Sequence, residues 1–264
     1  MRIYESETCD ARECLELGLA LGSWMGQNAM VMTGTDGRPV SRLVRRALTV
    51  GLASLGGSVL DMRLVPEEVL RYEVRKQGMG AGIYVFFDGS KVGVSLYNSR
   101  GEPADPETVR RIMSLMAGEG RDGGGGGRRT VSLMDLGTIL YYPNGIEDYI
   151  ECLYSEISFR NPLSILADCQ TTPLAALVPG LLEKYGMKVQ LFNGLVSGYG
   201  QPRPKEEFLE ALRRERPHLG LRFVDVVEVY SASGEKLDER HGLKDLLLFL
   251  KDFRPRNSNV GVGR

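Results

Sequence analysis

The sequence predicts an α/β protein of two lobes, each a three-layer α/β/α domain built on a mixed sheet. Three observations carry that class. Apolar runs of strand length alternate with stretches of helical periodicity, the pattern of a sheet covered by helices on its faces. The alternation occurs twice, on either side of five consecutive glycines at 123–127, which read as a hinge because such a run cannot hold one conformation cheaply. Asp88-Gly89 lies between two apolar runs, the signature of a hairpin, so an antiparallel strand joins the parallel ones.

Taken in order, the first lobe opens at 14–25, where Leu15, Leu17, Leu19, Leu21 and Trp24 line a helical face. Residues 29–33 form a strand that runs into the loop Gly34-Thr35-Asp36-Gly37-Arg38-Pro39. Ser41 is then placed to cap a helix reaching to 55. A strand at 58–62, a helix at 66–77 with Pro66 in its first turn, the hairpin arms 81–87 and 92–97, and a helix at 106–116 follow. The second lobe carries a strand at 163–169 and a helix started by Thr172-Pro173 that ends at Tyr185-Gly186. After these come a strand at 187–192, a helix at 204–214, one long strand over 219–230 and a closing helix at 243–253. The expected domains are 1–157 and 158–254, with 255–264 a frayed tail.

Composition excludes several function classes. The 264 residues are 42% hydrophobic and 25% charged, enough apolar material for two cores. Basic residues number 33 against 34 acidic ones, a net charge of −1, so no global field recruits nucleic acid. No uncharged apolar stretch approaches about eighteen residues and the start of the chain is charged, so a cytoplasmic address without a membrane partner is expected. Four cysteines without a C-x-x-C pair and two histidines argue against a zinc cluster; Cys152 and Cys169 read as small core residues.

Two glycine-rich stretches invite a ligand. Residues 118–123 fit G-x-G-x-x-G but follow a helix where a strand is needed, so the stretch is read as a loop. In the loop 34–41, backbone amides near a helix start, with Arg38 and Arg42, make either an anion nest or a structural turn. Gly34, Asp36, Gly37, Arg38, Ser41 and Arg42 are its candidate ligand residues. Arg38, Arg42, Arg45 and Arg46 form a basic helical face, open to solvent, a phosphate or a partner.

The order of these motifs resembles the phosphoglucomutase/phosphomannomutase family, the phosphohexomutases that shift a phosphate between sugar positions. Leu17-Gly18-Leu19-Ala20-Leu21-Gly22 is similar to its opening helix, the loop from Gly34 to its Gly-Arg-Asp-x-Arg loop, and Val65-Pro66 to its Pro-Thr-Pro turn. Gly82-Ile83 and Gly93-Val94-Ser95 flank the place of its Thr-Ala-Ser-His-Asn-Pro. Leu166-Ala167-Asp168-Cys169 resembles the first strand of its second domain, and Pro202-Arg203-Pro204 its Pro-Glu-Pro turn. The resemblance implies the fold of the family's first two domains, and a chemistry needing a phosphoserine and a divalent metal.

Here the match thins. Ser90 is the one serine between Ile83 and Gly93; it is a displaced phosphoserine or, the preferred reading, a turn residue in a shortened hairpin beside Asp88 and Lys91, themselves candidate ligand contacts. Where the family has Asp-Gly-Asp-x-Asp-Arg, the chain has Val224-Asp225-Val226-Val227-Glu228-Val229. Asp225 and Glu228, the weak metal candidates, would face opposite sides of a strand. Only the first two of four family domains are matched. The expectation is therefore a catalytically degenerate homologue without a cofactor, which binds a sugar phosphate or another small anion, or forms a homo-oligomer. The alternative is one subunit of a split phosphohexomutase, completed by a companion mutase chain and Mg²⁺.

Overall fold

The computed structural model describes residues 1–118, 131–194 and 201–255. The glycine run 123–127, most of the 118–123 fingerprint and the tail from 256 lie outside the described residues. The chain divides into two compact units, the first comprising Met1–Tyr149 and the second beginning at Ile150.

Unit 1 runs β1 (Arg2–Ser6), α1 (Ala11–Met25), β2 (Met30–Thr35), α2 (Pro39–Ala53), β3 (Ser58–Leu64), α3 (Glu67–Lys76), β4 (Ala81–Phe87), β5 (Val92–Asn98) and α4 (Pro106–Ala117). A 3-10 turn at Leu133–Asp135 and β6 (Ile139–Tyr141) follow, and α5 (Gly145–Glu156) carries the chain across the boundary at Ile150. The sheet order is β1-β5-β4-β2-β3-β6, with β4, β2, β3 and β6 parallel and β5 and β1 antiparallel at one edge. Because β3 pairs on one side of β2 and β4 on the other, right-handed crossovers send α2 and α3 to opposite faces. On the α2 face, Val31, Ile83, Val85, Val94 and Leu96 pack with Leu17, Leu21, Leu48 and Leu52 of α1 and α2 into one core. α1 and α2 touch backbone to backbone at two glycines: a Cβ on Gly18 would lie 2.2 Å from the Leu48 carbonyl oxygen, and one on Gly51 2.5 Å from that of Leu15.

Several expectations need correction. β1, β6 and α5 were not read from the sequence. Since α4 and β6 both belong to unit 1, the glycine-bearing stretch between them connects two elements of one unit and not two lobes. Helix α2 begins with Pro39 at its first position and Arg38 as N-cap, so Ser41 caps nothing; it sits buried within the first turn.

Unit 2 contains β7 (Ser164–Asp168), α6 (Leu174–Lys184), β8 (Lys188–Phe192), α7 (Lys205–Glu215), β9 (Leu219–Phe223), β10 (Val227–Tyr230), β11 (Lys236–Arg240) and α8 (Leu243–Asp252). Its sheet, β11-β10-β9-β7-β8, is parallel across β9, β7 and β8 and antiparallel beyond β9. The same reversal at β7 places α6 and α7 on opposite faces. Phe208 and Leu212 of α7 pack on Leu166, Phe192 and Tyr230. Buried Asn161 donates to the carbonyls of Leu250 (2.8 Å) and Phe253 (3.0 Å), satisfying the open end of α8. The long strand expected over 219–230 is a hairpin, turned at 224–226 where the amide of Val224 meets the carbonyl of Val226 at 3.0 Å. Thr172 starts no helix; its hydroxyl donates to Cys169 O at 2.8 Å, and α6 begins after Pro173. Cys169 is buried, whereas Cys152 is only half-buried.

Candidate functional site

In open sheets with parallel strands, ligands bind beyond the carboxyl ends where the strand order reverses. Unit 1 has such a point between β2 and β4. The loop after β2 and the hairpin after β4 meet there, and Asp36 joins them: its Oδ2 accepts the amide of Phe87 at 2.7 Å while its own amide donates to Val85 O at 3.2 Å. Of the predicted residues, Asp36 is thus tied to the arm that leads into the 88–91 turn, while its neighbours have local work. Asp36 Oδ1 accepts the amide of Arg38 (3.0 Å), and Thr35 Oγ1 accepts that of Gly37 (3.0 Å). The amides that would line an anion nest are therefore filled from within the loop. Gly34 is needed for packing, because a Cβ there would sit 2.6 Å from Val65 Cγ1.

The hairpin turn is organised by Asp88, whose Oδ1 accepts the amides of Ser90 (2.9 Å) and Lys91 (2.8 Å) and the Ser90 hydroxyl (3.1 Å). The backbone amides of Lys91 and Ser90 hold the Asp88 carboxyl below its ordinary range. Lys91 reaches Glu7 at 3.6 Å. The Ser90 hydroxyl donates its proton to the Asp88 carboxylate, whose Oδ1 is already used by two backbone amides to fix the turn.

Unit 2 has its reversal between β7 and β9. Asp168, fully buried at the end of β7, accepts from Asn193 Nδ2 (2.9 Å) and pairs with Arg222 Nε (3.3 Å). Arg222 also reaches Glu228 Oε2 at 3.2 Å, and that carboxylate takes Lys236 (3.1 Å), Lys205 (3.6 Å) and the Tyr230 hydroxyl (2.8 Å). Burial raises the Glu228 carboxyl, but Tyr230, Lys236 and Arg222 outweigh it and draw it down to about 2. The non-glycine residues Gln170, Thr171 and Asn193 adopt positive φ of 51°, 55° and 51° around this cluster, a local concentration of backbone strain. Asp225 is exposed at the hairpin tip, away from Glu228 in β10. The two candidate metal ligands are therefore separated by a turn, and Glu228 is occupied by cations that a metal would have to displace. The sequence reading missed the Asp168–Arg222–Glu228 chain because its members come from three strands and are spaced without a pattern.

One further group lies on the other side of β2. Asp61 of β3 pairs with Arg45 of α2, with only 12% and 8% of their side chains exposed. Asp61 Oδ1 also accepts the Thr33 hydroxyl (3.4 Å) and the amide of Arg63 (2.9 Å). Arg63 takes a φ of 60° and lies 4.1 Å above the ring of Tyr141. Of the basic residues anticipated on α2, Arg42, Arg45 and Arg46 line one cleft and Arg38 is the N-cap; the buried partner of Arg45 could not be read from the sequence.

Comparison with known proteins agrees with this architecture. Residues 2–121 match the family model described as phosphoglucomutase/phosphomannomutase, alpha/beta/alpha domain I. A phosphoglucosamine mutase of Methanococcus aeolicus is 24% identical over 200 residues, covering 74% of this chain and 43% of its own length. A phosphopentomutase of Thermococcus kodakarensis is 26% identical over 239 residues, covering 85% and 50%. The chain thus spans about half the length of the curated relatives it matches. The crystal structure of a phosphoglucomutase/phosphomannomutase family protein from Burkholderia thailandensis superposes with a TM-score of 0.69 at 19% identity, over 87% of this chain and 52% of that one. Residues 2–121 thus match a phosphoglucomutase/phosphomannomutase domain I, and the chain is similar in sequence and fold to members of that family.

Proposed function

We propose that this chain is a phosphohexomutase homologue that acts by binding, with a sugar phosphate or a similar small anion as ligand, and that it does not turn over substrate by itself. One observation supports this best: where the family resemblance calls for a nucleophile and a metal loop, the groups present are committed elsewhere. Ser90 Oγ donates to Asp88 in a turn, and Glu228 is neutralised by Arg222, Lys205 and Lys236. A transferable phosphate needs a free oxygen nucleophile and a cation to absorb its charge. The candidate ligand residues of this reading are Gly34, Asp36, Gly37, Arg38, Ser41 and Arg42 of the loop and Asp88 and Lys91 of the turn; the amides of Gly37 and Arg38 are already taken by Thr35 and Asp36, so the charge that draws the anion is that of Arg42, which also lines the α2–β3 cleft.

The residues of the metal position do not fit a divalent ion as they stand, so no step is routed through one. The test is a mutase assay of the purified chain with glucose, mannose, glucosamine and pentose phosphates, in the presence of Mg²⁺ and a bisphosphate activator. No turnover above background is expected, and the same result for Ser90→Ala. Turnover that Ser90→Ala abolishes would overthrow the proposal.

A second reading is one subunit of a split phosphohexomutase completed by a companion mutase chain, favoured by the same commitment of Ser90 and Glu228, since the chemistry would have to come from another chain. Recovery from the native source of a stoichiometric partner resembling the other half of a mutase, with activity only in the mixture, would favour it. A self-associating or solitary chain would favour the binding protein.

A further inference from the structure

We propose that the cleft between α2, β3 and β6, which meets the loop surface only at Thr35 and Arg42, is a binding site for a phosphomonoester dianion. The argument begins with spacing. Arg42, Arg45, Arg46 and Thr49 recur at three- and four-residue intervals on α2 and so share one helix face, while Asp61 and Arg63 of β3 both line the facing side, Arg63 through the left-handed turn that shifts the register of the strand. The fold sets these faces against each other around a cavity of about 580 Å³, which Thr35, Val50, Leu64 and Ile139 complete.

Its electrostatics are unbalanced toward cation. Asp61 is the one carboxylate of the lining, and Arg45 holds it in a buried ion pair. Arg42 and Arg46 are exposed at the cleft, and among the described residues neither has a carboxylate partner. Arg63 stacks on Tyr141 and has no carboxylate partner for its guanidinium among the described residues. Three guanidinium groups thus converge without compensation, and the Nε of buried Arg45 has no acceptor either. Planar guanidinium forks match the oxygens of a phosphate bidentately. The left-handed turn at Arg63 is a cost the fold bears, and it is locked by Asp61 accepting the Arg63 amide.

The volume decides between a bare anion and an ester. It falls in the range of about 300–1,000 Å³ occupied by small-molecule sites, more than a phosphate group alone needs. Val50, Leu64 and Ile139 supply an apolar wall for the carbon body of an ester. The inference does not rest on the absence of turnover: a mutase assay and a binding assay read different things, and either can fail alone.

The experiment is isothermal titration of the full chain with inorganic phosphate and with glucose 6-phosphate. Saturable binding is expected, tighter for glucose 6-phosphate, weaker at high salt, and strengthening from pH 5 to 8 as the second phosphate proton, with a pKa of about 6, is lost. Arg46→Gln/Arg63→Gln, both at exposed positions and neither part of the loop surface, is expected to weaken it at least about tenfold with an unchanged melting temperature. The charge-matched control Arg110→Gln/Arg111→Gln on α4 is expected to bind as the parent does. Absence of saturable binding, equal affinity for the two probes, or equal losses in the two double variants would overturn the assignment.

Discussion

Replacing Asp61 by Asn tests the reasoning about unit 1 most severely. The substitution preserves shape and removes one charge, leaving Arg45 with a side chain only 8% exposed and no other carboxylate among the described residues. Breaking a buried pair from one side costs about 3–5 kcal/mol, because the remaining ion must be held without compensation. Asn can still accept the Arg63 amide and the Thr33 hydroxyl, so their loss adds little. Arg45→Met should cost less, since the carboxylate it abandons keeps both those donors. The double variant Arg45→Met/Asp61→Asn should fall well short of the sum, with a coupling energy of about 1–3 kcal/mol. Urea denaturation followed by fluorescence is suited to this, because the single tryptophan, Trp24, packs against the unit 1 core and reports its unfolding. A loss below about 1 kcal/mol for Asp61→Asn, together with additive single variants, would refute the view that this pair is buried and mutually dependent.

Two other substitutions probe the packing and the acid response. Gly18→Ala gains about 1 kcal/mol of helix propensity but places its Cβ 2.2 Å from the Leu48 carbonyl, so α1 and α2 must separate at a typical overpacking cost of about 1–3 kcal/mol. A lowered melting temperature is expected. Gly180→Ala in α6, where the nearest atom is the Ile150 Cδ1 at 3.3 Å, should be neutral or stabilising, and the reverse order of the two would contradict the helix contact. The Glu228 carboxyl lies at about 2 in the folded chain against an ordinary value of 4.5. A depressed carboxyl stabilises above its unfolded value, so this contribution is present at neutral pH and is lost as pH falls from about 4.5 to about 2. Denaturation midpoints of Glu228→Gln measured from pH 6 to pH 2 should fall less steeply than those of the parent; parallel curves would show that Glu228 carries none of the acid lability.

What could be read in advance was what is local. Asp88-Gly89 announces its hairpin because the turn chemistry and both arms sit within a few residues. The α1 and α2 faces announce themselves through leucine spacing, and the helix contact even leaves a trace in Gly18 and Gly51. β1 could not be seen: Arg2-Ile3-Tyr4-Glu5-Ser6 has only two buried residues, and its partner is β5, far along the chain. β6 is three residues long and exposed on all of them, held by Thr138 O accepting the Val59 amide and Asp61 O accepting that of Tyr142. α5 is tied to α3 through the Tyr142 hydroxyl, which reaches Asp148 at 2.9 Å and buried Glu73 at 3.1 Å. Such ties are tertiary and leave no period. The continuous strand expected over 219–230 failed for a related reason: Val224-Asp225-Val226 has strand-forming composition, yet the antiparallel pairing of Phe223 with Val227 makes it a turn.

The same distinction bears on function, because charge is informative only after its partners are known. At both strand-order reversals the polar groups cancel one another. In unit 1 the Asp36 and Asp88 carboxylates absorb backbone amides, and in unit 2 the Asp168 and Glu228 carboxylates absorb Arg222, Lys205 and Lys236. A ligand arriving at either place must break bonds already made before it gains any. The α2–β3 cleft is different, since its single carboxylate is used by Arg45 and three further guanidinium groups remain to be satisfied. An anion entering there gains charge-assisted bonds and displaces only water, so the free energy of binding favours that cleft over the two places where the family pattern would put the chemistry. If phosphate esters were found to bind at the strand reversals and not in the cleft, this ranking by uncompensated charge would be wrong, and the carboxylates at those reversals would have to exchange partners on binding.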